Sequence, residues 1–334
     1  MVGRVARATP EHARQAVAAA SKAFATWRDR PVEERCAILE KAADLMCQRR
    51  FELCAWIILE AGKQWREADG ELCEAVDFCR YYAREMRKLA KPQRRDLTGE
   101  ENEYFYEPRG VCTVIGPWNF PLAIPCGMTV AALVTGTPVI YKPAEQTSVI
   151  ASHMVQILQE AGVPKEVLHF LPGVGEEIGP VLVSPPEVAL TVFPGSRAVG
   201  LLINRQAAET PPGQPFVKKV ITEMGGKNAI IIDDDADLDQ AVAGTLAAAF
   251  GFQGQKCSAA SRVIVLQAVY DTFLHRLVEA AKAIRVMPAE EPGSFVGPVI
   301  DEDSRNRILR YIEQGKKEAR LVHATDIGTL AEQG

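Results

Sequence analysis

Residues 111–121 read VCTVIGPWNFP, a short apolar run that ends in a turn of glycine and prolines. The run Val111–Ile115 is rich in β-branched residues, which is typical of a buried strand. Similar runs follow at Val139–Lys142, Leu168–Leu171 and Val188–Phe193. Helical segments alternate with these runs, and this alternation predicts an α/β fold with a doubly wound parallel sheet.

Helices are predicted between these strands and before them, because apolar residues recur there at helical spacing. Those between the strands are expected at Pro121–Val134, Ser148–Ala161, Glu176–Val183 and Arg197–Ala208. Those before the strands are expected to start at Thr9-Pro10 and at Pro31, with a third over Glu67–Leu89. These elements form a first predicted domain, residues 1–217.

A second α/β domain is predicted for residues 218–334. Its strands are expected at Val220–Glu223, Ala229–Ile232 and Arg262–Leu266, and its helices at Asp237–Phe250, Val269–Ile284 and Glu302–Arg320. Residues 233–239 contain five aspartates, which raises the possibility of a calcium loop. The spacing lacks the glycine and terminal glutamate of such a loop, so we expect an acidic turn before a helix and no metal.

Composition limits the classes of partner. The net charge of -5 argues against binding to nucleic acid or to an anionic membrane. The longest apolar runs are too short to cross a bilayer, and the first residues lack the apolar core of a signal peptide. Eight scattered cysteines without CxxC pairs suit reduced thiols, so a cytoplasmic location is expected.

Polar residues follow the strands, and parallel sheets bind ligands at the carboxyl ends of their strands. Asn119 offers an amide donor after the first strand, although it could equally cap the next helix. Lys142 and Glu145 follow the second strand, where they could hold the hydroxyls of a ribose or lie in a solvated loop. For Asn119 alone neither reading is favoured, whereas Lys142 and Glu145 alone favour the solvated loop.

Two further motifs end strands. Gly195-Ser196 begins a helix, and the free N–H groups of a helix start suit a phosphate. The next glycine is Gly200, five residues on, so this is not the usual dinucleotide fingerprint. Glu223 precedes the pair Gly225-Gly226, which would give a general base room to move.

Cys257 lies in a glycine-rich bend, since residues 249–262 read AFGFQGQKCSAASR. A thiolate nucleophile needs partial exposure and a positive local field, which the glycines and Lys256 could supply. The alternative is a buried structural cysteine. None of the five histidines falls in these motifs, so a carboxylate is a better candidate base than a histidine.

Taken together and in this order, these motifs resemble the aldehyde dehydrogenase superfamily over almost the whole chain. Residues 249–262 and the loop 210–218 resemble its glutamate semialdehyde branch, the 1-pyrroline-5-carboxylate dehydrogenases. The resemblance implies an aldehyde-dehydrogenase-like fold. Residues 1–217 would be the helical N-terminal region and NAD-binding domain, and residues 218–334 the first part of the catalytic domain.

The resemblance also implies a reaction, the NAD-dependent oxidation of L-glutamate γ-semialdehyde to L-glutamate. Cys257 attacks the aldehyde, the Asn119 amide and the Cys257 N–H hold the oxyanion, and Glu223 activates water. Ser258 is expected to hold the substrate's α-carboxylate. The residues implied as NAD contacts are Ile115, Trp118, Lys142, Glu145, Gly195, Ser196 and Gly200.

Two departures from the family pattern stand out. Pro194 replaces a usual threonine and removes one backbone N–H beside the phosphate site. The family also continues beyond residue 334 with a nicotinamide-ribose motif, a substrate loop and a strand that forms homo-oligomers. We therefore keep a second hypothesis, an impaired remnant that binds nucleotide or a partner chain. A third, a reductase of acyl phosphates, is disfavoured by the Glu223 motif.

Overall fold

A five-stranded parallel sheet forms the centre of the first part of the chain in the computed structural model, which describes residues 2–328 and 330. The chain divides into two units. The first unit is residues 1–60 with 69–224, and the second unit is residues 61–68 with 225–334. The short segment 61–68 therefore belongs with residues that follow it by more than 150 positions.

Four helices precede the sheet. They are α1 (Pro10–Arg28), α2 (Val32–Gln48), α3 (Arg50–Ala61) and α4 (Trp65–Leu89). As predicted, α1 starts after Thr9, whose side chain accepts a hydrogen bond from the His12 N–H while His12 Nδ1 accepts one from the Thr9 N–H. The helix α3 has no counterpart among the predicted elements. A short antiparallel pair, β1 (Gln93–Arg94) and β2 (Glu103–Tyr104), follows α4.

The sheet consists of β3 (Val111–Ile115), β4 (Val139–Lys142), β5 (Leu168–Phe170), β6 (Val188–Pro194) and β7 (Lys219–Glu223). The helices between them are α5 (Ala123–Val134), α6 (Ser148–Ala161), α7 (Gly175–Val183) and α8 (Arg197–Ala208). The strand order is β5-β4-β3-β6-β7, and every pair is parallel. The predicted doubly wound sheet is confirmed. Its strand order reverses between β3 and β6, which is where such sheets bind ligands.

Burial on both faces explains the continuous apolar character of the central strands. Val111, Cys112 and Val114 of β3 are all fully buried. Thr113, the polar residue of this strand, is also buried, and its hydroxyl donates to the Leu182 carbonyl at 2.7 Å. Parallel sheets covered by helices on both faces have such uninterrupted apolar strands.

The strand β7 corrects one prediction. We expected Val220–Glu223 to belong to the second domain, but β7 pairs with β6 as the edge strand of the first sheet, with Pro194 opposite Glu223. The first unit accordingly extends to Met224, beyond the boundary expected after residue 217. A short apolar run defines a strand but not the strand with which it pairs.

The second unit contains a two-stranded parallel sheet, β8 (Asn228–Ile232) and β9 (Ala260–Val265), with helices α9 (Leu238–Phe250), α10 (Tyr270–Lys282) and α11 (Glu302–Glu318). One face of this sheet packs on α9 and α10 around Ile232, Val242 and Phe273. On the other face Ile231 and Ile264 lie opposite each other and are 72% and 56% exposed.

The acidic segment 233–239 joins β8 to α9. Asp237 caps α9 by accepting hydrogen bonds from the Asp239 and Gln240 N–H groups. The carboxylates of Asp233, Asp234 and Asp235 are exposed and lie within 4.8 Å of one another. Among the described helices, none combines the length and the apolar content needed to span a bilayer.

Candidate active site

The loop after β3 approaches β4 closely. The Gly116 N–H donates to the Lys142 carbonyl at 2.9 Å, and a Cβ at Gly116 would lie 2.9 Å from both Pro125 and the Tyr141 ring. Only glycine fits this contact. Three residues of this segment that the sequence singled out, Ile115, Trp118 and Asn119, are half-buried.

A carboxylate fixes the helix that follows Asn119. Glu71 Oε1 accepts hydrogen bonds from the Leu122 N–H at 2.7 Å and the Ala123 N–H at 3.2 Å, and Glu71 is buried. The cap position of α5 is Leu122, so Asn119 is not the helix cap that we considered as an alternative. Sequence analysis missed Glu71. The only signal was an acidic residue among the apolar positions of a helix.

Lys142 and Glu145 form an ion pair at the carboxyl end of β4. Lys142 is buried, and its Nζ lies 2.5 Å from Glu145 Oε1. The same oxygen accepts a hydrogen bond from the Gly175 N–H at 3.1 Å, at the start of α7. The side chain of Glu145 is half exposed. In a solvated loop these side chains would lack fixed partners, whereas here Glu145 is bound by both Lys142 and the Gly175 N–H.

The start of α8 is open to solvent, since residues 195–199 are exposed. Ser196 caps this helix, and its hydroxyl accepts a hydrogen bond from the Val199 N–H at 3.3 Å. A Cβ at Gly195 would collide with the ring of Phe193, and one at Gly200 would lie 3.3 Å from Met224 Sδ. An uncovered helix start with its positive dipole end is a suitable place for an anion.

Glu223 ends β7 beside this helix start. Its backbone carbonyl accepts a hydrogen bond from the Gly195 N–H at 2.8 Å, while its side chain is exposed. The first unit thus places Asn119, the Lys142–Glu145 pair, Ser196 and Glu223 at the carboxyl ends of neighbouring strands. Glu223 is held through its backbone carbonyl, and its side-chain carboxylate remains accessible.

Cys257 lies in the second unit, in the bend between α9 and β9, and it is exposed. This overturns the alternative of a buried structural cysteine. Asn228 holds the bend, because its Nδ2 donates to the Cys257 carbonyl at 2.8 Å and to the Ala259 carbonyl at 3.1 Å. Ser258, the expected substrate contact, is exposed next to the thiol.

The other cysteines differ in their surroundings. Cys36, Cys54, Cys79, Cys112 and Cys126 are buried, whereas Cys47 and Cys73 are exposed on helices. Burial raises the pKa of Cys112 to about 12 and contributes most to raising the pKa of Cys54 to about 11. Both groups are therefore protonated at neutral pH, when a nucleophile needs the thiolate.

The profile of the aldehyde dehydrogenase family matches residues 1–332. A 1-pyrroline-5-carboxylate dehydrogenase from Geobacillus kaustophilus is 49% identical over 96% of this chain and 63% of its own length. The 1-pyrroline-5-carboxylate dehydrogenase 2 of Bacillus subtilis is 48% identical over the same shares. The chain thus spans 63% of the length of these curated relatives.

Solved structures of related proteins support the same family assignment. A proline utilization A protein from Bdellovibrio bacteriovorus is 54% identical with a TM-score of 0.93, over 95% of this chain and 33% of that chain. A 1-pyrroline-5-carboxylate dehydrogenase from Thermus with bound NAD is 45% identical, also with a TM-score of 0.93, over 97% of this chain and 64% of that chain. This chain therefore belongs to the aldehyde dehydrogenase family.

Proposed function

We propose that this chain carries out the NAD-dependent oxidation of an aldehyde to a carboxylate, with L-glutamate γ-semialdehyde as substrate and L-glutamate as product. The observation that carries the proposal is the exposed thiol of Cys257 in a glycine-rich bend. The names of the relatives from Geobacillus and Bacillus support the choice of substrate. The expected cytoplasmic location would keep such a thiol reduced.

In the first step the Cys257 thiolate attacks the aldehyde carbon. A thiohemiacetal forms, and the carbonyl oxygen becomes an oxyanion. The side-chain amide of Asn119 and the backbone N–H of Cys257 donate hydrogen bonds to this oxyanion. Each such donor contributes about 100- to 1,000-fold to the rate of comparable reactions.

The residues at the strand ends of the first unit fit a dinucleotide. The open start of α8 at Ser196 suits a pyrophosphate, and the fixed Lys142–Glu145 pair offers both a donor and acceptors to ribose hydroxyls. Ile115, Trp118, Gly195 and Gly200 would line the same groove. When bound, NAD accepts the hydride from the thiohemiacetal carbon.

Loss of that hydride leaves a thioester on Cys257. Glu223 then takes a proton from a water molecule, the hydroxide attacks the thioester carbon, and the acid leaves as the Cys257 thiolate is restored. The exposed Glu223 side chain, followed by two glycines, suits a base that must reach water. Ser258 would hold the substrate's α-carboxylate beside the thiol.

The test is direct turnover. Purified chain receives NAD and the semialdehyde while the near-ultraviolet absorbance of reduced cofactor is followed. We expect turnover that the Cys257→Ala variant abolishes and that Cys73→Ala, an exposed thiol on α4, leaves unchanged. Turnover that survives Cys257→Ala would contradict the assignment of the nucleophile.

One observation supports the second hypothesis, a remnant that binds nucleotide or a partner chain. The apolar face of the β8–β9 sheet at Ile231 and Ile264 is exposed, and such a face suits a covering polypeptide. This reading predicts NAD binding, measured by calorimetry, without turnover. The homo-oligomer implied by the family would be a separate outcome, visible by sedimentation.

A further inference from the structure

The segment 61–68 contacts the bend that carries the nucleophile, although about 190 residues separate them in sequence. Both belong to the second unit. Gln64 Nε2 donates to Gln253 Oε1 at 2.6 Å, and Lys256 Nζ donates to Glu67 Oε1 at 2.7 Å. Lys63 Nζ lies 4.7 Å from the centre of the Phe252 ring. Three residues of the segment therefore hold three residues of the bend.

The bend needs such support because its backbone is unusual. Phe252, Gln253 and Gly254 have φ values of 49°, 57° and 67°, all in the left-handed region. Glycine adopts this conformation freely, but a residue with a Cβ does so only when its surroundings favour it. Among the described residues, Phe252 and Gln253 are the two with a Cβ that have positive φ.

The amide of Gln253 is bound on both sides. Its Nε2 donates to the Pro298 carbonyl at 2.6 Å and to the Gly62 carbonyl at 3.3 Å, while its Oε1 accepts from Gln64. These partners come from two segments remote in sequence. They fix the position of the side chain and so favour the left-handed backbone that carries it.

Other residues pack closely around the hydrogen bonds of Gln64 and Gln253. Gln64 is buried, and a Cβ at Gly297 would lie 2.9 Å from Gln64 Nε2 and 3.4 Å from Gln253 Nε2. Lys63 and Phe252 are both fully buried, so the cation–π contact is shielded from water. Gln64 Nε2 is thus confined between Gly297 and Gln253, whereas Gln64 Oε1 is buried without a hydrogen-bond partner among the described residues.

We propose that Gln64 is a positioning residue for Cys257: its amide holds Gln253, and thereby the left-handed stretch 252–254 of the bend that presents the thiol. Gln64 itself need not touch the substrate. The role of the bend in catalysis rests on the proposed function. The position of the thiol can be measured without it.

The experiment is alkylation by iodoacetamide, followed for each cysteine by mass spectrometry of its peptide. It needs neither NAD nor aldehyde, so an inactive chain still gives an answer. Exposed Cys47 and Cys73 serve as internal references in the same tube, and buried Cys36 and Cys112 report general opening. Gln64→Met keeps the size of the side chain but removes the donor. Gln159→Met, at a half-buried glutamine of α6, is the matched control.

We expect Gln64→Met to change the Cys257 alkylation rate by about fivefold relative to the two references, from loss of one hydrogen bond. Gln159→Met should leave it unchanged. In chains that prove active, kcat should fall in Gln64→Met with little change in the KM for NAD. An unchanged Cys257 rate contradicts the proposal, and so does parallel labelling of every cysteine.

A second pair of variants tests the backbone part of the argument. Both Gln253→Ala and Gln253→Gly remove the amide, but only alanine keeps the unfavourable left-handed Cβ. We expect the Cys257 alkylation rate of the alanine variant to depart further from the parent than that of the glycine variant. An equal or larger departure for glycine, which removes more of the side chain, would overturn the proposal.

Discussion

Lys256 Nζ lies 2.7 Å from Glu67 Oε1, so the cation adjacent to the nucleophile in sequence is paired with a carboxylate of α4. Their side chains are 18% and 28% exposed. A Cβ at Gly251 would lie 3.1 Å from the same carboxylate oxygen, so this glycine makes room for the pair. The sequence suggested that Lys256 could supply a positive field, and the structure pairs that charge locally.

Loss of the Lys256–Glu67 pair should destabilise the second unit. We expect Glu67→Gln to lower the free energy of unfolding by about 1 kcal/mol, because it removes a partly shielded charge-assisted hydrogen bond. Urea titration followed by circular dichroism measures this change in the free energy of unfolding. Glu313→Gln is the control, since its pair with Lys316 in α11 is exposed. Equal effects of the two substitutions would show that the Lys256–Glu67 pair has no special role.

A buried lysine should stabilise the first unit. Lys218 Nζ donates to the carbonyls of Val183, Ser184 and Pro185 at 2.7, 2.7 and 2.6 Å, at the carboxyl end of α7. We expect Lys218→Met to lower the free energy of unfolding by about 2–3 kcal/mol, because buried carbonyls lose their donor. Urea unfolding checks this against Lys219→Met at the exposed neighbouring position. A cost no larger than that of the neighbour would refute it.

The same lysine gives a pH dependence. Burial lowers the pKa of Lys218 from 10.5 to about 8. Between these values the unfolded chain binds a proton that the folded chain has released, so the contribution of Lys218 to the unfolding free energy rises with pH. Below pH 8 both states are protonated and the contribution is constant. The difference in unfolding free energy between the parent chain and Lys218→Met should therefore grow by about 1–3 kcal/mol from pH 8 to 10.5. A difference independent of pH would contradict the lowered pKa.

Cofactor choice should depend on Glu145. Its carboxylate is fixed by Lys142 and by the Gly175 N–H, and in the proposed NAD site it would repel a 2′-phosphate. We expect Glu145→Gln to lower the ratio of NAD to NADP affinity by about tenfold. Calorimetric titration with each dinucleotide measures this ratio. A parent chain that binds both equally would remove the basis of the prediction.

Local patterns in the sequence predicted much of the first unit. The bounds of β3, β4, α6 and α8 agree with those predicted, because apolar runs and caps define these elements locally. Pairing of β7 with β6 was not predictable in this way, since an edge strand contains no signal for its partner. The contact of Gln64 with Gln253 was missed for a similar reason. It joins residues far apart in sequence, and although Gln253 lies in the motif around Cys257, Gln64 belongs to no motif that indicates chemistry.

In the proposed mechanism Cys257 is acylated during turnover and Glu223 completes the reaction. The most direct test gives the Glu223→Gln chain NAD and L-glutamate γ-semialdehyde, and then measures the mass of each cysteine peptide. We expect a thioester-linked acyl group to accumulate on Cys257, because attack and hydride loss precede the step assigned to Glu223. An unmodified Cys257, or an acyl group on Cys47 or Cys73 instead, would contradict it.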